Sequence, residues 1–497
     1  MKNMWAKALA FAVIGVMAVS PVMAEEAEGA AAVGGKIYIE GFEWGPGVTR
    51  VVVELDEAAS AVDAGSAVVM TKEAERVVTG AYLSDEAGEP VEGDSSFVTF
   101  TLETTNAVSG NPFNYDFAVT GHNLWSDVYP FSAQFTATVG GEEKAYTMEA
   151  DAGNKTNIIS PDTDVFTVSD GLTGDYENPL TGETDSLTIL YKAYEPQALK
   201  DDGAKNPLII WLHGAGEGGD DVDISLLGNE VVALSKEPIQ GYFTSEGGEN
   251  GAYVVAFQCA TMWMDAGDGG QGAGDKASRY TQILKDAMDQ YIASNEDIDV
   301  NRIYVGGCSN GGYMTMNMLF EYPDFFAAAY PNCEAYAFYE LAKDEEGNYT
   351  EGYTEDRFVT EEKIEKIKDI PIWFVHAAND TTVVPANFSL PTYKALLDAG
   401  ATNAWFSYFE DVQGVDDPGA MSILNFATME MGPGYMGHWS WTYTFNDKVT
   451  AVQDVEAIKA STDTETFGFV PSNDGGGSEL ACGEFDNLFK WMNAQSK

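Results

Sequence analysis

Basic residues are scarce in this chain: 497 residues contain 26 Lys and Arg against 79 Asp and Glu, a formal net charge of −53. So acidic a surface repels nucleic-acid backbones and anionic lipid headgroups, which excludes both as partners. Histidine is rarer still, confined to His122, His213, His376 and His438. The cysteines are Cys259, Cys308, Cys333 and Cys482. None has a CxxC spacing or a histidine cluster nearby, so no metal and no cofactor is expected. Past the first two dozen residues, no apolar run reaches the roughly 20 residues that cross a bilayer. Apolar content is plentiful: 45% hydrophobic and 12% aromatic residues are enough for sizeable cores and exclude wholesale disorder. At about 100–200 residues per domain, the length predicts two or three domains.

The N-terminus reads as a secretory signal peptide over residues 1–24. Lys2 and Lys7 precede the apolar run Ala8–Val19, and Val22-Met23-Ala24 supplies the small residues of a cleavage site after Ala24. The run is too short for a membrane anchor, so the mature protein is expected outside the cytoplasm, extracellular or periplasmic. Cleavage removes two lysines and no acid, so the charge becomes −53 − 2 = −55. Export permits disulfides, and four cysteines allow three pairings.

Two rhythms follow. Over residues 34–160, runs such as Lys36–Ile39, Thr49–Leu55, Ser96–Thr101, Phe131–Val139 and Lys144–Met148 alternate between Gly, Asp, Asn and Ser clusters. They predict an all-β immunoglobulin-like sandwich of roughly seven strands, in which His122 is an ordinary loop histidine. The segment Asn154–Thr163 reads as a linker. Over residues 166–497, the apolar runs Pro207–Leu212, Tyr253–Phe257, Arg302–Gly306, Phe326–Tyr330 and Ile372–His376 alternate with helical patterns. That is an α/β domain with an open, mostly parallel sheet, whose reactive groups belong on loops at the carboxyl ends of strands.

Three such loops carry chemistry. Gly307-Cys308-Ser309-Asn310-Gly311 follows Arg302–Gly306 and precedes a helical segment, matching the strand–turn–helix elbow that exposes a serine nucleophile. At the end of Pro207–Leu212, His213-Gly214-Ala215-Gly216-Glu217 is a glycine-rich loop suited to an oxyanion hole. Gly214 or Ala215 would donate a backbone N–H together with that of Asn310. His213 is structural, Glu217 is a candidate brace for the loop, and Asp220 reads as a solvated acid. The third signal is Asp380 after strand Ile372–His376, followed downstream by His438. A serine hydroxyl needs an imidazole base, and that imidazole needs a carboxylate to fix its tautomer. With His122, His213 and His376 accounted for elsewhere, His438 remains as the base. Ser309, Asp380 and His438 then stand in the chain order of α/β-hydrolases, with Asp411, Asp416 and Asp417 as alternative acids.

The runs HGAGEGG from His213, GCSNGG from Gly307, HAANDTTVVP from His376 and GHWSW from Gly437 resemble secreted α/β-hydrolases. That group includes polyhydroxybutyrate depolymerase-like and feruloyl-type esterases and predicted peptidases. The stretch IEGFEWGPGVTRVVVELD, Ile39–Asp56, is similar to bacterial esterases with an N-terminal immunoglobulin-like domain. The resemblance implies an α/β-hydrolase domain after the sandwich, with Ser309 as nucleophile, Asp380 as acid and His438 as base. The chain departs from the common pattern in having Phe257-Gln258-Cys259 where Pro-Gln-Cys is frequent.

Aromatic residues crowd the same loops: Trp263, Tyr313 and Trp439 are the candidate substrate pocket, with Trp441, Met262 and Met264 beside them; the competing reading puts most of them in the core. Tyr339–Glu362 is a candidate partial cap and Gly414–Gly437 a candidate mobile wall. The expected activity is carboxylic-ester hydrolysis on a small-molecule or polymer-linked ester. A serine peptidase, or a binding protein with an inert hydrolase domain, are the alternatives. The sequence does not fix the oligomeric state.

Overall fold

The structure is a computed structural model that describes residues 30–116, 119–267, 277–344, 349–425, 430–476 and 485–497. The expected signal peptide, Cys482 and parts of the two candidate wall segments lie outside those residues. The chain divides into two compact units.

Among its described residues the first unit, Ala10–Tyr115 with Asn123–Asp164, is all β apart from turns and short helical segments such as Pro161–Asp164. Its main strands are β1 (Gly34–Phe42), β2 (Gly45–Thr71), β3 (Val78–Ser84), β4 (Ser95–Leu102), β5 (Pro130–Val139) and β6 (Glu142–Asp151), paired antiparallel. Buried and less buried residues alternate along β5, which puts Phe131, Ala133, Phe135, Ala137 and Val139 on the core face. The largest departure from the sequence reading is β2. A strand was expected over Thr49–Leu55, but it continues to Thr71. The extra residues, Asp56–Ala67, are rich in Ala, Ser, Asp and Gly and have little β propensity of their own. Pairing of Ala59–Thr71 with the strongly β-forming β5 holds them extended. The expected linker is also structured: Ile158–Ile159 pairs in parallel with β1, and the Asp162 carboxylate accepts the Gly41 N–H at 2.9 Å.

The second unit comprises Val165–Lys497 and also takes in Asp116–His122. Its strands are β7 (Val168–Glu177), β8 (Thr184–Tyr194), β9 (Asn206–Leu212), β10 (Tyr253–Cys259), β11 (Ile298–Cys308), β12 (Ala328–Asn332), β13 (Ile372–Ala377) and β14 (Ala404–Phe409). They form one sheet in the order β7-β8-β10-β9-β11-β12-β13-β14. The pairs from β10 through β14 are parallel, and β7–β8 and β8–β10 are antiparallel. Every residue of β9 and β10 is buried, as continuous apolar runs covered on both faces require. The helices that matter below are α1 (Val222–Gly228), α2 (Thr281–Ser294), α3 (Asn310–Glu321), α4 (Glu361–Ile367) and α5 (Ser389–Asp398). Helix α2 buries Ile283, Leu284, Ala287, Met288 and Tyr291, one stripe at helical spacing. The candidate cap is a hairpin of Tyr339–Lys343 with Tyr349–Arg357, whose Tyr353 ring meets Phe388 edge-on at 6.0 Å. Topology leaves the carboxyl ends of β9, β11, β12 and β13 side by side.

Candidate active site

Strand β11 ends at Cys308, and α3 begins at Asn310. Ser309 between them takes φ 55° and ψ −113°, a strained turn for a residue with a Cβ. Neighbouring glycines make the turn possible. A Cβ on Gly311 would lie 1.9 Å from the Leu212 carbonyl oxygen, and one on Gly307 would lie 2.5 Å from the Gly311 carbonyl carbon. Two backbone bonds fix the serine: its N–H donates to Asn332 O at 3.0 Å, and its carbonyl accepts from Tyr313 and Ala335. Asn310 opens α3, where a first-turn N–H has no partner in its own helix.

The oxyanion loop leaves β9 beside this elbow. His213 is buried and held at both nitrogens: Nδ1 meets Gly214 O at 2.6 Å, and Nε2 accepts the Cys259 N–H at 3.2 Å. Burial drives its pKa down to about 3, so it stays neutral and has no free nitrogen with which to act as a base. A Cβ on Gly214 would lie 3.3 Å from the Cys308 sulfur, so the loop packs on the elbow, with Gly214 and Ala215 both candidate donors to pair with Asn310. Glu217 is buried against Gly214, where a Cβ would come within 2.8 Å of its Oε2, and Gln258 Nε2 donates to the Glu217 carbonyl at 2.9 Å. Trp263 completes the frame, its N–H donating to Asn310 Oδ1 at 2.6 Å and its Nε1 to His213 O at 3.1 Å.

Asp380 follows β13 and is saturated with donors. Oδ1 accepts the N–H groups of Thr382 and Val383 at 2.8 and 2.9 Å. Oδ2 faces His438 Nδ1 at 2.8 Å and His376 Nε2 at 3.1 Å. Burial opposes its charge, but the His438 imidazole and the bonds from both histidines outweigh that and hold the carboxyl well below the usual range. His376, excluded as a base in the sequence, is therefore a second brace for the acid. Its Nε2 faces two acceptors, Asp380 and Val383 O, so it carries the proton, while Nδ1 accepts from Ser389 Oγ at 2.7 Å. His438 sits in the turn Gly437–Trp439, and the Trp441 ring meets its imidazole edge-on at 5.7 Å.

Residues 272–413 match the prolyl oligopeptidase family, and residues 36–172 match the esterase Ig-like N-terminal domain. The fold is that of a crystallised thermostable esterase: TM-score 0.59 at 23% identity, over 84% of this chain and 96% of that one. The chain carries an α/β-hydrolase fold and an esterase-type Ig-like domain. The hydrolase is also 30% identical over 128 residues to poly(3-hydroxyalkanoate) depolymerase C of Paucimonas lemoignei. That match spans 26% of this chain and 28% of the relative's length.

Other sequence-derived expectations meet the hydrolase structure less directly. Trp263 and Tyr313 are fully buried, as core residues are, and Trp439 is partly open and stacks on Tyr435 at 5.3 Å. His122 is more than a loop histidine. It is buried in the second unit against Gly218 of the candidate oxyanion loop, and burial lowers its pKa. Cys259, Cys308 and Cys333 are buried free thiols, so none is paired with another. Burial pushes all three well up, so none of these described thiols competes as a thiolate nucleophile. A cavity of about 330 Å³ lies between the cap hairpin, α4 and α5, lined by Phe338, Arg357, Lys394 and others. No triad candidate lines it.

Proposed function

We propose that the hydrolase is an exported serine carboxylesterase. His438 takes the proton of Ser309, which attacks an ester carbonyl, and the oxyanion rests on the N–H groups of Asn310 and of Gly214 or Ala215. The alcohol leaves with a proton from His438, and water releases the acid by the same path. The observation that carries this reading is the carboxylate of Asp380, 2.8 Å from His438 Nδ1, which sets the tautomer a base needs. The esterase-type N-terminal domain and the depolymerase similarity favour ester over amide substrates, including polymer-linked esters. The prolyl oligopeptidase match of residues 272–413 favours a second reading, amide cleavage. Ester and amide substrates sharing one acyl group decide between the two. For the mechanism, Ser309→Ala should abolish both hydrolysis of short p-nitrophenyl esters and labelling by a fluorophosphonate probe. Parent-level turnover in that variant would show that another group is the nucleophile.

A further inference from the structure

We propose that Cys333, Asp380 and His438 together bind a soft divalent cation of the Zn²⁺ class, and that its occupancy switches the hydrolase off. The inference rests on the triad proposed above. Cys333 is the first residue after β12, at φ 35°, and its N–H donates to Val375 O of the neighbouring strand at 2.8 Å. That bond ties it to the strand whose end carries Asp380. One donor atom from each of the three side chains lies within 4.8 Å of the other two. Among the described residues, this is the one grouping of Cys, His and acid that could hold a metal ion.

An acid and a base alone offer one oxygen and one nitrogen. The thiol of Cys333 adds a sulfur, and S, N and O from three loops make a three-ligand zinc set with a fourth position open. Zinc–ligand bonds of about 2.0–2.3 Å place tetrahedral ligand atoms about 3.3–3.6 Å apart. Asp380 Oδ2 and His438 Nδ1 stand at 2.8 Å, so they need only part slightly, while the sulfur moves in. Access runs through His438, whose side chain is 11% exposed while that of Asp380 is fully covered.

Inhibition follows from the proton balance. Binding at Nδ1, the nitrogen that faces Asp380, requires that nitrogen's lone pair, so the imidazole proton moves to Nε2. The thiol of Cys333 releases its proton to solvent, one net proton per metal bound, and no electrons are transferred. Nε2 then carries a proton and cannot accept that of Ser309. The metal also takes the place of the Asp380–His438 hydrogen bond. Metal binding and general-base catalysis are mutually exclusive at the same imidazole.

The test is a Zn²⁺ titration of ester hydrolysis, each protein normalised to its own metal-free rate, together with Co²⁺ absorption. The parent should lose activity reversibly, recovering with a chelator, and with Co²⁺ should show thiolate-to-metal charge transfer in the near ultraviolet. Cys333→Ser should raise the half-inhibiting Zn²⁺ concentration by about tenfold or more and abolish the cobalt band. Cys333→Ala serves the same purpose if the serine variant folds poorly. The band should persist in Ser309→Ala, which has the ligands without the nucleophile. That arm separates the two claims: the cobalt result stands or falls without turnover. Equal Zn²⁺ inhibition of parent and Cys333 variants, or a cobalt band unchanged by loss of the thiol, would overturn the inference.

Discussion

Replacing Asp380 with Asn separates the role of the carboxylate from its shape, and the structure dictates how the amide must sit. Oδ1 receives two backbone N–H groups at 2.8 and 2.9 Å, so the amide carbonyl has to occupy that position. The NH₂ group then stands where Oδ2 stood, facing His438 Nδ1 and His376 Nε2. A donor facing Nδ1 makes that nitrogen an acceptor and sends the imidazole proton to Nε2, where it blocks removal of the Ser309 proton. His376 can adapt by moving its own proton to Nδ1 and donating to Ser389, so the fold survives the change. We therefore predict a loss in kcat of about 10⁴-fold. That corresponds to about 5.5 kcal/mol of transition-state stabilisation. The melting temperature should fall by only a few degrees. The assay is steady-state hydrolysis of p-nitrophenyl acetate beside a thermal melt of the same preparation. A folded variant whose kcat stays within about tenfold of the parent would refute the assignment of Asp380 and point to Asp411, Asp416 or Asp417.

Two further outcomes follow from the same region. Gly311→Ala forces a Cβ to within 1.9 Å of a backbone oxygen that cannot yield, so soluble protein should be lost or destabilised by about 3 kcal/mol or more in urea melts; a stable, active variant would mean that the elbow is not packed against β9. Glu334, next to Cys333, is fully buried; burial holds its carboxyl well above the usual range, and its Oε1 has no partner among the described residues. An acid with a raised folded pKa adds most stability below the unfolded value, about 4.3, and loses it as pH rises towards the folded pKa, by about 1.4 kcal/mol per unit. Glu334→Gln keeps an acceptor for the Tyr336 N–H and removes that slope. Its advantage over the parent in chemical melts should grow from pH 5 to pH 8, about 0.7 to 3.7 pH units above the unfolded value; a constant difference would show that Glu334 ionises normally.

What the sequence disclosed, and what it hid, divide along physical lines. The strands Asn206–Leu212 and Ile372–Ala377 were legible because burial on both faces leaves an unbroken apolar run. The hairpin β7–β8 went unread because Thr, Ser, Asp and Gly alternate through it, and neighbouring strands rather than its composition make it a sheet. Ser309, Asp380 and His438 each carry a local signature, a glycine elbow or a strand end. His376 and Cys333 carry none. Cys333 reaches the acid only from the neighbouring strand of the folded sheet, and His376, four residues before Asp380, meets it through the turn that follows β13.

The long strand β2 has a mechanical consequence for its own unit. Its 27 residues, at about 3.3 Å each, would stretch to about 90 Å if straight. Residues up to Glu54 pair with β1 and β4, Ala59 pairs with both β4 and β5, and the residues beyond it pair with β5; the register breaks between Glu54 and Ala59. One continuous backbone thus acts as a spar running through both halves of the sandwich. A force applied to either half travels along covalent bonds rather than through side-chain contacts, and neither half can peel away without unzipping the strand they share. The unit should melt or yield under load in one step, and a single backbone cut between Glu54 and Ala59 should be enough to divide that step in two.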